Sequence, residues 1–358
     1  MLALVAACGG TGGSAAASPS PSAATNDDLN TPAASLTGAG STFDQPFFTR
    51  AFFEYNKANP KVTVNYASIG SGGGIAQIQA GTVNFGATDV PMAPADLAAA
   101  KNGVIEQVPV TLGGVTVSYN LTGVQSGLHL TGDVLANIFL GKITKWNDPA
   151  LKSLNPKIDL PDQAITVVHR SDSSGTSYIF TDYLSNVSPA WKAGPGTGKS
   201  VNWPVGVGGK GNEGVAGSVK QVAGSIGYVE LAYALQNQFT VAAMQNQAGK
   251  FVQPSLTTVA ADAAQKPNVT PTDFSIVNAG GAQSYPISGY SWVVLYQQQS
   301  DHDAGLALVK MLDWLTQDQG QQQAKAVQYV PLPANIQHLA RVTLLNVKDS
   351  TGKAFLNG

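Results

Sequence analysis

From Ser35 onward, short stretches of alternating apolar and polar residues are interleaved with stretches of helical periodicity, an order typical of an α/β protein. Strands are predicted over residues 61–66, 83–88 and 164–168, and two more within 104–119, on either side of Gly113 and Gly114. Helices are predicted over residues 47–55, 75–80, 130–140, 178–184, 216–222, 304–316 and 320–327. Neither internal repeats nor sustained heptads interrupt this pattern.

Three turns of small residues, at 38–43, 70–74 and 170–177, each open a predicted helix, and the last two follow predicted strands. Ligands of open α/β sheets bind at the carboxyl ends of strands, and helix N-termini offer unpaired N–H groups to anions. The third turn adds Arg170 and several hydroxyls, so the three turns together predict a site for a small oxyanion. Each turn taken alone has an equally good structural explanation without a ligand, because Ser and Thr are good helix N-caps and Gly allows tight turns.

The chain as a whole is not basic, so a preference for anions must come from the residues of the site itself. The chain has 358 residues, enough for about two lobes, and a net charge of −2 with only 12% charged residues. Nucleic acid and an anionic membrane surface are therefore not expected as electrostatic partners. Arg170 is one of only three arginines, and Asp172 is close enough in sequence to orient its guanidinium and offset its charge.

The first residues predict export and a lipid anchor. The apolar segment 2–7 ends in small residues directly before Cys8, the single cysteine, and so resembles a bacterial lipoprotein signal, although a basic n-region is missing. An apolar N-terminus with a chance cysteine is the alternative. Residues 9–33, rich in Gly, Ala, Ser, Thr and Pro, predict a disordered linker. We expect an extracytoplasmic protein held at the outer face of the membrane through Cys8.

Several motifs together resemble the phosphate-binding proteins that serve ATP-driven phosphate importers, a family of periplasmic binding proteins. They lie at residues 36–43, 69–74, 85–89, 141–148, 170–177 and 208–214, in the family's order and spacing. The resemblance implies a two-lobe α/β fold in which each lobe is a mixed, mostly parallel sheet flanked by helices. Lobe I would comprise residues 34–110 plus 287–358 and lobe II residues 111–286, joined by a hinge of two chain crossings.

The resemblance also implies the function and its partners. Inorganic phosphate would be bound with high affinity by closure of the two lobes and delivered to the membrane permease and ATPase subunits of an ABC importer. No cofactor, metal or catalysis is implied. The residues that would contact phosphate are Thr42, Phe43, Ser71, Asp89, Arg170, Ser174, Gly175 and Thr176, with Asp172 supporting Arg170. Two positions depart from the family pattern: His169 stands where a second basic residue is common, and Gly72 where another serine is common.

Asp89 has a distinct chemical role in this scheme. Phosphate at neutral pH still carries a proton, whereas sulfate carries none, so a buried carboxylate that must accept a hydrogen bond admits the first and repels the second. The expectation is that Asp89 selects the ligand while Arg170 attracts it. The alternative for Asp89 is a helix cap before Val90 and Pro91.

Two other functions remain open at this stage. The segment 172–176 nearly matches the Asp-x-Asp-x-Thr nucleophile loop of aspartate-dependent phosphatases, but Ser174 replaces the second aspartate, which supplies the general acid and base. An acidic pair for magnesium is not obvious downstream. A surface sensor or adhesin on the same scaffold is the other alternative, since fold alone does not fix function.

Overall fold

The computed structural model describes residues 31–357, so Cys8 and residues 9–30 of the predicted linker lie outside the described residues. The strands are β1 (Ala34–Gly40), β2 (Val62–Ser68), β3 (Phe85–Thr88), β4 (Ile105–Asn120), β5 (His129–Leu130), β6 (Thr166–Arg170), β7 (Val207–Gly209), β8 (Ser225–Glu230), β9 (Thr240–Val241), β10 (Ala243–Gln245), β11 (Phe251–Val252) and β12 (Ser288–Tyr296). The helices are α1 (Gln45–Ala58), α2 (Ser71–Ala80), α3 (Pro94–Ala98), α4 (Gly132–Phe139), α5 (Pro149–Leu154), α6 (Gly175–Val187), α7 (Pro189–Ala193), α8 (Gly211–Gln221), α9 (Leu231–Gln236), α10 (Leu256–Ala263), α11 (His302–Thr316), α12 (Asp318–Ala326) and α13 (Ala334–Leu344).

The larger sheet has the strand order β2-β1-β3-β12-β4-β8-β6-β7, with β9 also paired to β4. Its two outer parts are parallel: β1 pairs with β2 and β3, and β6 pairs with β7 and β8. Its centre is antiparallel, because β12 pairs with β3 and β4, and β4 pairs with β8. The strands β11, β10 and β5 form a small second sheet. The mixed α/β fold class predicted from the sequence is confirmed.

Residues 105–120 form one strand, so the prediction of two strands within 104–119 is wrong. The 16-residue β4 pairs with β12 as far as Gly114 and with β8 from Val115 onward. A Cβ on Gly113 would lie 2.6 Å from Cζ of Phe43. The glycines therefore mark the point where the strand changes partners and passes close to a neighbouring ring. The predicted lobe boundaries fall inside β4 and just before β12, and they stay a prediction.

Helix α2 begins at Ser71, four residues earlier than predicted, and the run Gly72–Gly74 is helical rather than a turn. A Cβ on Gly74 would lie 2.6 Å from both the carbonyl oxygen of Ala39 and the Cα of Gly40. Glycine at this position lets the first helical turn pack directly on the end of β1. That close packing brings Ser71 to the edge of the sheet where β1 and β3 end.

Aromatic packing fixes the start of α1 beside this edge. The ring of Phe48 contacts the rings of Phe52, Tyr66 and Phe85 at centroid distances of 4.9, 4.9 and 6.4 Å. Phe48 and Phe85 are fully buried, so the turn between β1 and α1 is anchored in the core.

Within residues 31–357, no helix combines the length and apolar character needed to cross a membrane.

Candidate anion-binding site

The residues predicted to contact an anion gather at one edge of the sheet, where β1, β3 and β6 end and α2 and α6 begin. Thr42 and Phe43 follow β1, Asp89 follows β3, and Arg170 is the last residue of β6. All of them are buried, and Asp172 is partly buried. We divide the site into a carboxylate face (Ser41, Thr42, Ser71 and Asp89) and an arginine face (Arg170, Asp172, Ser174 and Thr176).

Asp89 is the centre of the carboxylate face and is only 2% exposed. The Ser41 hydroxyl donates to its Oδ1, because the Ser41 oxygen already accepts from the N–H of Phe43 at 3.0 Å. Ser291 Oγ lies 3.1 Å from the same Oδ1, and Thr176 Oγ1 lies 3.3 Å from Oδ2. The carboxyl is thus surrounded by hydroxyl groups from three separate parts of the chain.

Burial is the main influence on the ionisation of Asp89. It raises the pKa of Asp89 from 3.8 to about 6, although the hydrogen bond from Ser41 and the charge of Arg170 oppose the rise. At neutral pH the carboxyl is therefore ionised and acts only as a hydrogen-bond acceptor.

The structure also excludes the alternative that Asp89 caps a helix, because the next helix, α3, starts at Pro94.

The arginine face is built on an ion pair with two hydrogen bonds. Arg170 Nε lies 2.8 Å from Asp172 Oδ1, and Arg170 Nη2 lies 2.5 Å from Asp172 Oδ2. The Arg170 side chain is 1% exposed, so its orientation is fixed by this fork. Burial acts to raise the pKa of Asp172, but the hydrogen bonds and charge of Arg170 outweigh it and lower that pKa. Asp172 Oδ1 also accepts from the N–H of Gly211 at 3.0 Å.

The start of α6 joins the two faces. Ser174 caps the helix, its hydroxyl accepting from the N–H of Ser177 at 3.0 Å. The N–H of Gly175 donates to Ser71 Oγ at 3.0 Å, and a Cβ on Gly175 would lie 2.6 Å from the Cβ of Asp89. Only glycine allows the helix start to approach Asp89 this closely.

Two hydroxyls of the carboxylate face keep a hydrogen to donate. Thr42 Oγ1 accepts from the backbone N–H of Asn212 at 3.1 Å and from its amide Nδ2 at 2.9 Å. Ser71 Oγ accepts from the N–H groups of Asp89 and Gly175. Because each oxygen acts as an acceptor in these bonds, the hydroxyl hydrogens of both residues can point to an anion.

Several residues of the site were not predicted. Ser41 and Asn212 lie inside motifs already recognised at 36–43 and 208–214, so the sequence carried a signal for them. Tyr233, whose hydroxyl donates to the carbonyl of Thr42 at 2.7 Å, carried none. Nor did Ser291, which lies in the mostly apolar strand β12.

The two departures from the family pattern have simple packing explanations. The ring of His169 stacks on Trp203 at a centroid distance of 4.9 Å and an interplanar angle of 11°, so this side chain serves an aromatic contact. Gly72 donates its N–H to the carbonyl of Ser173 at 3.0 Å, and a Cβ there would lie 2.3 Å from Ser173 Oγ. The absence of a side chain at Gly72 makes room for Ser173.

Comparisons with known proteins agree with this fold. A family model described as "PBP superfamily domain" matches residues 17–319. The Phosphate-binding protein PstS of Xylella fastidiosa (strain 9a5c) is 48% identical over 304 residues, which cover 84% of this chain and 82% of the relative. That of Pasteurella multocida is 46% identical over 329 residues, covering 91% and 94%. Fold and site thus define a binding protein of the PBP superfamily. Within that superfamily, the chain belongs to the PstS family of phosphate-binding proteins.

Solved structures support the fold. A high affinity periplasmic phosphate-binding protein (PfluDING) bound with phosphate superposes with a TM-score of 0.68 at 20% identity, covering 90% of this chain and 96% of that one. A phosphate-binding protein from Stenotrophomonas maltophilia gives 0.67 at 21% identity, covering 87% and 94%. The two-lobe periplasmic-binding-protein fold predicted from the sequence is confirmed.

Proposed function

We propose that this chain binds inorganic phosphate outside the cytoplasmic membrane and delivers it to the permease and ATPase subunits of an ABC phosphate importer. The observation that carries the proposal is the pairing of a buried acceptor with buried donors in one site. Asp89 accepts, and Arg170 with the surrounding hydroxyls donates. The names of the relatives, which describe phosphate-binding proteins, point the same way.

The acceptor gives the site its selectivity. An ionised Asp89 gains a hydrogen bond from an oxyanion that retains a proton, as phosphate does at neutral pH. Facing a fully deprotonated oxyanion such as sulfate, the same carboxylate suffers charge repulsion and loses the hydrogen bond. The cost of that mismatch is on the order of several kcal/mol in buried surroundings.

The donors hold the anion from both faces. In this proposal Thr42 and Ser71 donate through their hydroxyls and Arg170 through its guanidinium. The backbone N–H of Phe43 donates to Ser41 Oγ in this structure, so it would exchange that partner for the anion. Asp172 fixes the guanidinium in place, which reduces the entropy lost on binding. The start of α6 contributes its partial positive charge together with Ser174, Gly175 and Thr176.

Closure of the lobes accompanies binding in this proposal. Hydrogen bonds link the predicted lobe I to the predicted lobe II, from Gly175 to Ser71, from Asn212 to Thr42 and from Gly72 to Ser173. These bonds support a closed arrangement, and a ligand that contacts both faces stabilises the closed state over the open one. The permease would recognise the closed lobes.

Export and anchoring through Cys8 belong to the proposal as well. Cys8 lies outside the described residues, so the support comes from the lipoprotein-like segment at residues 2–8 and from the extracytoplasmic family to which the chain belongs. Palmitate labelling of the full chain tests it: label should be incorporated by the natural sequence and not by Cys8→Ser. Equal labelling of both would contradict the anchor.

The geometry does not favour phosphoryl transfer. Both oxygens of Asp172 are engaged by Arg170, and the Ser174 hydroxyl caps α6, so neither is placed as nucleophile or general acid. Across residues 31–357, His, Cys, Asp and Glu form no cluster of three or more that could hold a metal ion. No observation favours a sensor or adhesin over a transport role.

Isothermal calorimetry of residues 31–358 with phosphate and with sulfate tests the function. Phosphate should bind, and sulfate should bind more weakly by about 100-fold or more. Incubation with p-nitrophenyl phosphate and magnesium should release no phosphate. Equal binding of the two anions, or turnover of the ester, would contradict the proposal.

A further inference from the structure

Asp44 is a fully buried carboxyl that the proposed function does not use. It directly precedes α1, where an aspartate ordinarily caps the helix, yet its side chain makes no capping hydrogen bond. Instead, Asp44 Oδ2 lies 2.6 Å from Ser291 Oγ, while Asp44 Oδ1 has no hydrogen-bond partner among residues 31–357. A carboxyl with so few donors is costly to ionise in buried surroundings.

Ser291 links this carboxyl to the proposed selectivity residue. Its hydroxyl oxygen lies 2.6 Å from Asp44 Oδ2 and 3.1 Å from Asp89 Oδ1. A hydroxyl has a single hydrogen to donate, so Ser291 cannot donate to both carboxyls at once. The carbonyl oxygen of Thr88, at 3.3 Å, is a third acceptor for the same hydrogen. For both carboxyl contacts of Ser291 to be hydrogen bonds, one of the two carboxyls must donate to Ser291, and to do so it must carry a proton.

The surroundings assign that proton to Asp44. Asp89 has further donors in Ser41 and Thr176, and the charge of Arg170 favours its ionised form. Asp44 has less support: within residues 31–357 the ionisable groups that interact with its charge are all acids, namely Asp89, Tyr66, Glu230 and Tyr329. The hydrogen bond with Ser291 lowers the pKa of Asp44 but does not outweigh burial. Burial, with a further contribution from Asp89, raises the pKa of Asp44 well above its usual 3.8.

We propose that Asp44 is a positioning residue: a neutral carboxylic acid that donates to Ser291, which in turn donates to Asp89 and keeps Asp89 an ionised acceptor. Behind the site, a neutral Asp44 adds no negative charge that would repel the anion. The consequence for ligand choice rests on the proposed phosphate-binding function. The protonation itself does not, so the two can fail separately.

Infrared difference spectroscopy of the ligand-free protein at neutral pH, with ¹³C-labelled aspartate, tests the protonation. Subtracting the Asp44→Asn spectrum from the natural one should reveal a carbonyl band of a protonated carboxylic acid. Ser291→Ala should shift that band, because the acid loses its acceptor. Loss of carboxylate intensity in Asp44→Asn, with no loss of an acid band, would overturn the proposal.

Asp262 provides a matched control for the spectra. It is fully buried, and burial raises its pKa to about 8, so it is a second protonated acid at neutral pH. Asp262→Asn should remove a different acid band and leave the band of Asp44 unchanged.

Calorimetry with inorganic phosphate tests the positioning role. Asp44→Leu removes the donor and should raise Kd by about 10-fold, roughly one hydrogen bond to a charged group. Asp44→Asn retains an N–H donor and should recover most of that loss. Ser291→Ala should weaken binding to a similar extent, and the double variant Asp44→Leu, Ser291→Ala should be no weaker than either single variant.

Two results would overturn this role. If Asp44 were ionised, Asp44→Asn would remove a negative charge and tighten phosphate binding. If Asp44 and Ser291 acted independently, their effects would add in the double variant. Failure of the natural protein to bind phosphate would refute the proposed function instead, while the infrared experiment would still decide the protonation of Asp44.

Discussion

The carboxylate face and the arginine face are both largely buried but differ in how their charges are balanced. On the arginine face, Asp172 balances the charge of Arg170 through two short hydrogen bonds, so this charge is compensated without a ligand. On the carboxylate face, Asp89 has only hydroxyl partners in direct contact, and burial raises its pKa to about 6. We infer that the arginine face supplies most of the attraction for an anion and the carboxylate face most of the choice between anions.

Removal of the guanidinium should have the largest effect. Arg170→Ala should raise the Kd for phosphate by about 100-fold or more, because charge-assisted hydrogen bonds are lost and Asp172 is left without its partner. Calorimetry measures the change, and circular dichroism checks the fold. Arg341→Ala is the matched control, since Arg341 also forms two hydrogen bonds with an aspartate, Asp313, outside the site. If Arg170→Ala affected binding no more than this control, the arginine face would be wrongly assigned.

Neutralising Asp89 should change selectivity more than affinity. Asp89→Asn should reduce the phosphate preference over sulfate by about 10-fold or more, because an amide can donate to a fully deprotonated oxyanion. Competition calorimetry with both anions measures the ratio. An unchanged ratio would remove Asp89 from its proposed role.

The same variant has a pH signature. Because burial raises the folded-state pKa of Asp89 to about 6, its contribution to stability is complete below 3.8 and is lost as the pH rises through about 6. Asp89→Asn should therefore flatten part of the decline in the free energy of unfolding over that range. Phosphate binding by the natural protein should weaken as the pH falls below about 6, where Asp89 becomes protonated.

Crowding the contact between Gly72 and Ser173 should have an intermediate effect on phosphate affinity. Gly72→Ala places a Cβ 2.3 Å from Ser173 Oγ and 2.4 Å from Ser173 Cβ, so the two faces should separate slightly and Kd should rise by about 10-fold. Adding Ser173→Gly should restore most of the affinity. A double variant as weak as Gly72→Ala alone would show that this contact does not limit closure.

Breaking the ion pair between Lys199 and Asp96, which are 3.1 Å apart, should have the smallest effect on phosphate affinity. Both side chains are partly exposed, at 24% and 29%, so Lys199→Ala should change Kd by about twofold or less. Lys266→Ala, which breaks the exposed pair with Asp273, is the control. A tenfold loss specific to Lys199→Ala would mean that attraction also comes from outside the arginine face.

The two faces also differ in how far they could be predicted. The arginine face is contiguous in sequence, a strand followed by a turn and a helix cap, and its order alone placed Arg170 beside Ser174 and Thr176. The carboxylate face combines residues from separate strands. Its two glycine-rich motifs predicted Thr42 and Ser71, but Ser291 joins it only because β12 lies between β3 and β4. The sequence of an apolar strand does not predict which residue its serine will contact, because the neighbouring strands are set by the sheet order.

By itself, the sequence predicted the α/β class, the three small-residue segments around the candidate site and the order of the arginine face, since each depends on local periodicity and on adjacent residues. Only the tertiary structure decided that β4 is one strand with two partners, that α2 begins within its glycines, and that Asp44 faces Ser291 instead of capping α1. Each of these outcomes depends on contacts between segments that are distant in sequence, and tertiary packing determines those contacts.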